Sequence, residues 1–216
     1  MSWRLSLQNT IFRTSLTDVY EFGVYTGESV WDIKNIYDIN NIDIRKLFCF
    51  DSFEGLPEET KEPIAQDCWV KGAFNASEKL NAKNIDECVE KVNSIIRKRA
   101  DFSNTDLVYV PGFFEDVLID DLVPKLDMKP AAFVDLDADI YSSTYTALDF
   151  MFRNDLIQRG TLLAYDDWGG SPGWQTNTDG ESRAHEEICN KYKVKVQCVA
   201  QYGYSYPHVQ MVFLVC

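Results

Sequence analysis

The stretch 131-AAFVDLDADIYSST-144 runs from an apolar segment into Asp135, Asp137 and Asp139 at alternating positions. In a strand, alternating residues share a face, so three carboxylates there would repel one another. Water, a cation or a ligand that needs acids must make the arrangement tolerable. A second acidic pair, Asp166 and Asp167, follows the apolar run 161-TLLAY-165. If the strands that end at these two places are neighbours, Asp137 or Asp139 meets the pair. Three carboxylates with open positions suit a hard divalent cation such as Mg2+. Zinc does not fit, because His185 and His208 have neither HxxxH nor any other zinc spacing. His185, beside Glu186 and Glu187, reads as a solvated helix position, and His208 as a structural residue at a strand start.

A different chemistry is suggested by 21-EFGVYTGES-29, a glycine-bearing turn between a strand and a helix where backbone N–H groups can approach a ligand. Its spacing is E-x-G-x-x-x-G, which is not the dinucleotide G-x-G-x-x-G. The next strand ends at Asp51. An acid there accepts hydrogen bonds from the ribose hydroxyls of a nucleoside cofactor.

The elements that must position these residues alternate between strand-like and helix-like runs, the pattern of a parallel sheet covered by helices. Strands are expected at 18–24, 46–51, 106–112, 131–137 and 161–167, and helices at 28–39, 85–99, 115–126, 143–155 and 181–192. The last two strands, 194–201 and 208–216, are separated by 202-YGYSYP-207, too short for a helical crossover. They should therefore pair antiparallel as a hairpin. On this assignment the acids collect at the carboxyl ends of the strands, where open α/β sheets bind ligands.

Composition narrows the function. Of 216 residues, 45% are hydrophobic and 13% aromatic, enough for a substantial core. The net charge of -13 argues against nucleic acid and against anionic membranes as partners. Six scattered cysteines without a CxxC read as free thiols in a reducing compartment. The opening MSWRLSLQNTIFRTS has no long apolar core and no small-residue cleavage site, so a cytoplasmic location is expected. No apolar run reaches the ~18 residues of a membrane span. Whether the chain forms a homo-oligomer is not legible.

The runs 21-EFGVYTGES-29, 49-CFDSFEGLPE-58, 69-WVKGAF-74, 111-PGFFEDVL-118, 137-DADIYSST-144 and 166-DDWG-169, in this order and spacing, resemble the macrocin O-methyltransferase (TylF-like) family. The resemblance extends from Tyr20 to about Glu187. It implies one domain over 1–216 with a Rossmann-like class I methyltransferase fold: a mostly parallel seven-stranded sheet, a C-terminal antiparallel hairpin and helices on both faces. It further implies S-adenosyl-L-methionine, Mg2+ or another hard divalent cation, and methyl transfer to a hydroxyl of a sugar or other small natural-product acceptor.

Carried over position by position, Glu21, Gly23 and Gly27 would line the methionine end of the cofactor. Asp51 would hold the ribose, with Ser52 and Phe53 beside the adenosine. Tyr25, Thr26, Ser29, Gly112, Phe113 and Asp135 complete the implied cofactor set. Asp137, Asp166 and Asp167 would hold the metal, and Asp137 and Asp139 would carry catalysis. Asp137 is preferred to Asp139 as ligand because it matches the first acid of D-x-D-[LI]-Y-x-S-T. Asp135 stands where the family more often has a histidine. About 17 residues precede the first strand, a short lead that implies a smaller or different acceptor than a bulky glycoside.

The residue chemistry agrees with that implication. A sulfonium methyl is already an electrophile, so positioning and a deprotonated acceptor oxygen are what remain. A divalent cation lowers the cost of the oxyanion, and a neighbouring carboxylate takes the proton. Trp69 and Phe74 in 65-AQDCWVKGAFNAS-77 are placed for a flap. Loops 54–63 and 169–180 are expected to set specificity, with Trp168, Trp174, Tyr202, Tyr204 and Tyr206 available to stack on a ring or pack an interface. Two rivals remain: a D-x-D nucleotide-sugar glycosyltransferase built on Asp137 and Asp139, and a non-catalytic S-adenosylmethionine-binding protein.

Overall fold

Strands covered on both faces read as near-continuous apolar runs. Two such runs form the middle of the sheet: β1 (Asp18–Phe22) and β4 (Ala131–Leu136), in which every residue is buried. The computed structural model describes residues 15–64, 67–168, 179–202 and 209–216. In it β1 pairs in parallel with β2 (Lys46–Asp51) on one side and β4 on the other. β3 (Asp106–Pro111) continues beyond β2 and β5 (Leu162–Tyr165) beyond β4, both parallel. β7 (Gln210–Val215) then runs antiparallel to β5, and β6 (Val196–Tyr202) antiparallel to β7. The order is β3-β2-β1-β4-β5-β7-β6, with the expected hairpin at its end.

Strand alternation divides the core into two layers. On one face, Val19, Leu47, Cys49 and Phe133 pack with Ile33 and Ile36 of α1 (Glu28–Ile39) and with Cys88, Val92 and Ile96 of α3 (Ile85–Arg97). On the other, Tyr20 stacks on Phe48 and Phe22 on Phe50, in-register pairs with ring centroids 4.9 and 4.7 Å apart. Phe150 and Met151 of α6 (Tyr141–Arg153) and Ile188 of α7 (Gly180–Tyr192) close that layer. A short α2 (Ala76–Lys79) is capped by Asn75, and α3 by Asn84, whose side chains accept the Glu78 and Glu87 N–H groups at 2.9 Å each. Among the described residues no helix is long and apolar enough to cross a membrane.

One expected element is split. Instead of a helix over 115–126 there are two, α4 (Phe114–Val117) and α5 (Leu122–Leu126). Pro124 explains the break: in a continuous helix it would remove an interior hydrogen bond and clash one turn back. In α5 it falls in the first turn, where neither cost arises. Between β2 and α2 lies a 3-10 turn, Asp67–Trp69.

Candidate active site

The strand order reverses between β1 and β4, and the carboxyl ends of strands at such a reversal form the natural crevice of an open α/β sheet. A cavity of about 550 Å³ opens there. Each strand of the parallel half delivers something to it: Gly23 and Tyr25 after β1, Asp51 and Ser52 at the end of β2, Phe113 after β3. Asp137 and Asp139 come from the end of β4, Asp166 and Asp167 from the end of β5.

Asp51 organises the first half of the cavity. Its Oδ2 accepts the N–H groups of Val24 and Tyr25 at 2.7 and 2.8 Å, and its Oδ1 that of Phe53 at 2.5 Å. One carboxylate therefore shapes both the β1 turn and its own loop. Burial raises its pKa from the usual carboxylate range, and those backbone N–H groups oppose the rise. A carboxylate offers about four acceptor sites, so three bonds leave capacity for a ligand hydroxyl.

The second half is acidic because two ladders run one residue past their strands. Asp137 N–H donates to Phe22 carbonyl at 2.9 Å and Asp166 N–H to Leu136 carbonyl at 3.0 Å. Asp137, Asp166 and Asp167 thereby converge, with one carboxylate oxygen of each within 4.8 Å of the others. Asp139 joins them in a left-handed conformation, φ 61°. Burial first, and then Asp167, Asp137 and Asp166, push its pKa well above the carboxylate range, while a hydrogen bond from the Trp69 indole works against the rise. Oxygen donors in this number and spacing suit a hard cation.

Three glutamates hold the surrounding loops. Glu181, fully buried, accepts the Ala138 N–H at 3.3 Å through Oε1 and the Asp167 N–H at 3.0 Å through Oε2. Its pKa is pushed well above the carboxylate range by burial and then by Asp167. Glu59 accepts the Ser142 N–H at the start of α6 at 2.7 Å, and Glu62 the Gly180 N–H at the start of α7 at 2.7 Å. Neither helix has a side-chain cap from its own N-cap residue, so the loop 54–63 satisfies donors that would otherwise be orphaned. None of the three was a sequence-level candidate. The only local signal was the apolar Ile140 in the N-cap position of α6.

Of the anticipated cofactor residues, Gly23, Tyr25, Asp51, Ser52 and Phe113 line the cavity. Glu21, Thr26, Gly27, Ser29, Phe53, Gly112 and Asp135 are not among its lining residues. Gly27 has φ +86° and packs so close to α3 that a Cβ would meet Ile96 Cγ1 at 2.5 Å. Gly112 is held by its N–H to Asp51 carbonyl at 2.9 Å, and Phe53 is buried at φ 57°. The lining also includes Leu56, Pro57, Trp69 and Phe74, the last two from the expected flap. Trp69 is 2% exposed and Phe74 45%, the Phe74 ring meeting Tyr25 edge-on at 6.1 Å.

Three expectations change. Asp135, Asp137 and Asp139 do not share a strand face, because β4 ends at Leu136. Asp135 stays inside the sheet in register with Glu21, both fully buried on the α1–α3 side, while the other two turn into the cavity. His185 is not solvated but 6% exposed, its Nδ1 2.7 Å from Tyr165 Oη. Positions 181, 184, 185 and 188 form the inward stripe of α7, and the flanking glutamates belong to its outer face. Trp168 is 4% exposed against Tyr165, His185 and Phe213, which leaves it no ring face for a ligand. Residues 169–178, with Trp174, and 203–208, with Tyr204, Tyr206 and His208, lie outside the described residues.

Comparison with known proteins agrees with this architecture. The fold is similar to that of CalS11, a calicheamicin methyltransferase, with a TM-score of 0.68 and 17% identity over 96% of this chain and 77% of that one. In sequence the chain is 25% identical over 179 residues to demethyldecarbamoylnovobiocin O-methyltransferase of Streptomyces niveus. That match covers 81% of this chain and 61% of the relative. It is also 24% identical to mycinamicin III 3''-O-methyltransferase of Micromonospora griseorubida, over 70% of this chain and 55% of the relative. The chain thus spans somewhat more than half the length of these curated relatives. A family model matches residues 7–200, nearly all of the sequence, and the chain belongs to the macrocin-O-methyltransferase (TylF) family.

Proposed function

We propose that this chain is an S-adenosylmethionine-dependent O-methyltransferase that modifies a hydroxyl of a sugar or other small natural-product acceptor, with a divalent cation held by Asp137, Asp166 and Asp167. One observation carries the reading. A single cavity of about 550 Å³ joins the Asp51 end, suited to a nucleoside, to the acid cluster, suited to a cation and a reacting hydroxyl. Both curated relatives are named as O-methyltransferases of natural products, which supports the same class.

The cofactor supplies a methyl group already activated on a cationic sulfonium. The chain's own residues supply placement. Asp51 has the remaining acceptor capacity to hold a ribose hydroxyl, and Tyr25, Ser52 and Phe113 border the same space. Asp137, Asp166 and Asp167 would hold a divalent cation, whose positive charge would lower the cost of deprotonating the acceptor hydroxyl. Asp139, in the same cavity and anchored by the Trp69 indole, takes the proton. Trp69, Phe74, Leu56 and Pro57 cover the site and exclude water, whose attack would waste the cofactor.

Calorimetric titration with S-adenosylmethionine, with and without Mg2+, tests the reading. Micromolar binding to the protein, weakened strongly in Asp51→Ala, is the expected result. Absence of binding to the unsubstituted chain removes the methyltransferase proposal.

A further inference from the structure

We propose that Glu181 is a positioning residue, whose buried carboxylate sets the spacing between the two loops that carry the cation-binding acids. The inference rests on the reading of Asp137, Asp166 and Asp167 as a cation site. Glu181 belongs to α7 and touches the cavity through neither oxygen; both are engaged by backbone. Oε2 takes the N–H of Asp167, one of the acids, and Oε1 takes that of Ala138, which stands between Asp137 and Asp139. The loop after β4 and the loop after β5 are thus tied to one planar group 43 and 14 residues away in sequence.

The residue type is specific to this task. Two backbone donors converge on one point, and both Ala138 and Asp167 are buried, at 3 and 4% exposed. An apolar side chain would leave both N–H groups unsatisfied. An amide has a single acceptor oxygen and would serve one donor while turning its NH2 toward the other. Only a carboxylate satisfies both from one position. A fifth acid behind four others is electrostatically unfavourable, so its presence calls for a geometric reason, and the two-loop bridge provides it. The residue is itself held from the outer side, because Gly180 N–H, one residue earlier, is bound by Glu62.

The test uses the full chain and Mn2+ alone as a probe, with binding read by electron paramagnetic resonance. S-adenosylmethionine affinity and the unfolding midpoint are measured on the same samples. Outer-shell partners of metal ligands typically govern affinity by about 10–100-fold. Glu181→Gln is expected to weaken Mn2+ binding by about that factor while leaving S-adenosylmethionine affinity at the far end of the cavity unchanged. A residue that merely supported the fold would move the unfolding midpoint and both ligands together, and that result overturns the inference. Equal Mn2+ affinity in Glu181→Gln and the unsubstituted chain overturns it as well. If Glu181→Ala fails to fold, the isosteric Gln variant decides. An unsubstituted chain that binds S-adenosylmethionine but no Mn2+ refutes the cation site, and with it this role for Glu181.

Discussion

Glu59 closes the first turn of α6 from 83 residues away, its carboxylate accepting the Ser142 N–H at 2.7 Å. Three residues further on, Glu62 does the same for Gly180 at the start of α7, and its other oxygen lies 3.2 Å from Arg183. The loop 54–63 therefore spans the helices that begin where the acid-bearing loops end. It joins the cavity wall, through Leu56 and Pro57, to the first turns of both helices.

If this loop acts as a strap, its two ends are coupled. Glu59→Ala and Glu62→Ala should each lower stability by about 1–2 kcal/mol, the scale of a lost helix cap at a buried site. The double variant should depart from additivity by more than about 0.5 kcal/mol, the usual scatter for independent sites. Urea unfolding of the four proteins measures it. Strict additivity would mean two separate caps and no strap.

Gly23 lies so close under Asp137 that a Cβ built on it falls 1.8 Å from the Asp137 carbonyl oxygen, at a backbone φ of +95°. Gly72 has a similar φ of +81° but nothing within 4 Å. The pair separates conformational strain from steric exclusion. Gly72→Ala should cost only the left-handed penalty, about 1–2 kcal/mol. Gly23→Ala should cost distinctly more and reduce cation binding too, since Asp137 must move. Equal destabilisation in the two variants, with cation binding intact, would refute the close-packing argument.

What the sequence disclosed and what it hid follow from the range of the interactions. β2 has the boundaries expected for it, and β1 and β4 end within two residues of theirs. β2 and β4 announce themselves by the contiguous apolar stretches 47–50 and 131–134, whereas β1 buries Asp18 and Glu21 among its apolar residues. Asp51, Asp137, Asp166 and Asp167 were legible as acids terminating otherwise apolar strands. The alternation rule failed at Asp135, Asp137 and Asp139 because pairing stops at Leu136 and Asp139 takes a left-handed conformation. Glu59, Glu62 and Glu181 were invisible since their partners lie 83, 118, 43 and 14 positions away. In local sequence each is an ordinary surface glutamate, and only the fold shows which backbone donors need them.

His185 gives a pH dependence with a defined sign. Burial among Tyr165, Trp168 and Phe213, with Cys189 the other titratable neighbour at 3.6 Å, lowers its pKa from 6.5 to about 4. The folded state binds the proton less well than the unfolded chain, so this contribution is fully present above about pH 6.5. It declines as pH falls toward 4, by up to about 3 kcal/mol. His185→Phe, which cannot titrate and leaves Tyr165 Oη without its ring partner, should be less stable at neutral pH but lose less on acidification. Urea midpoints between pH 7.5 and 4.5 compare the two slopes, and parallel slopes would exclude His185 as the source.

The acid cluster makes an opposite-signed prediction for one substitution under two conditions. The carboxylates of Asp137, Asp166 and Asp167 place one oxygen each within 4.8 Å of the others, so their like charges repel when no divalent cation is bound. Asp166→Asn removes one of those charges at almost constant volume, and should leave the cation-free protein as stable as the original or more so. Mg2+ should reverse the ranking. A ligand bound only by the folded state adds about 2.7 kcal/mol at 100 times its Kd, and the Asn variant, one anionic ligand short, should gain little of that. Thermal unfolding with and without Mg2+ reads both arms. Cation-free destabilisation in Asp166→Asn would mean that the carboxylate makes a net favourable contact within the protein. An equal Mg2+ response in both proteins would place any bound cation elsewhere.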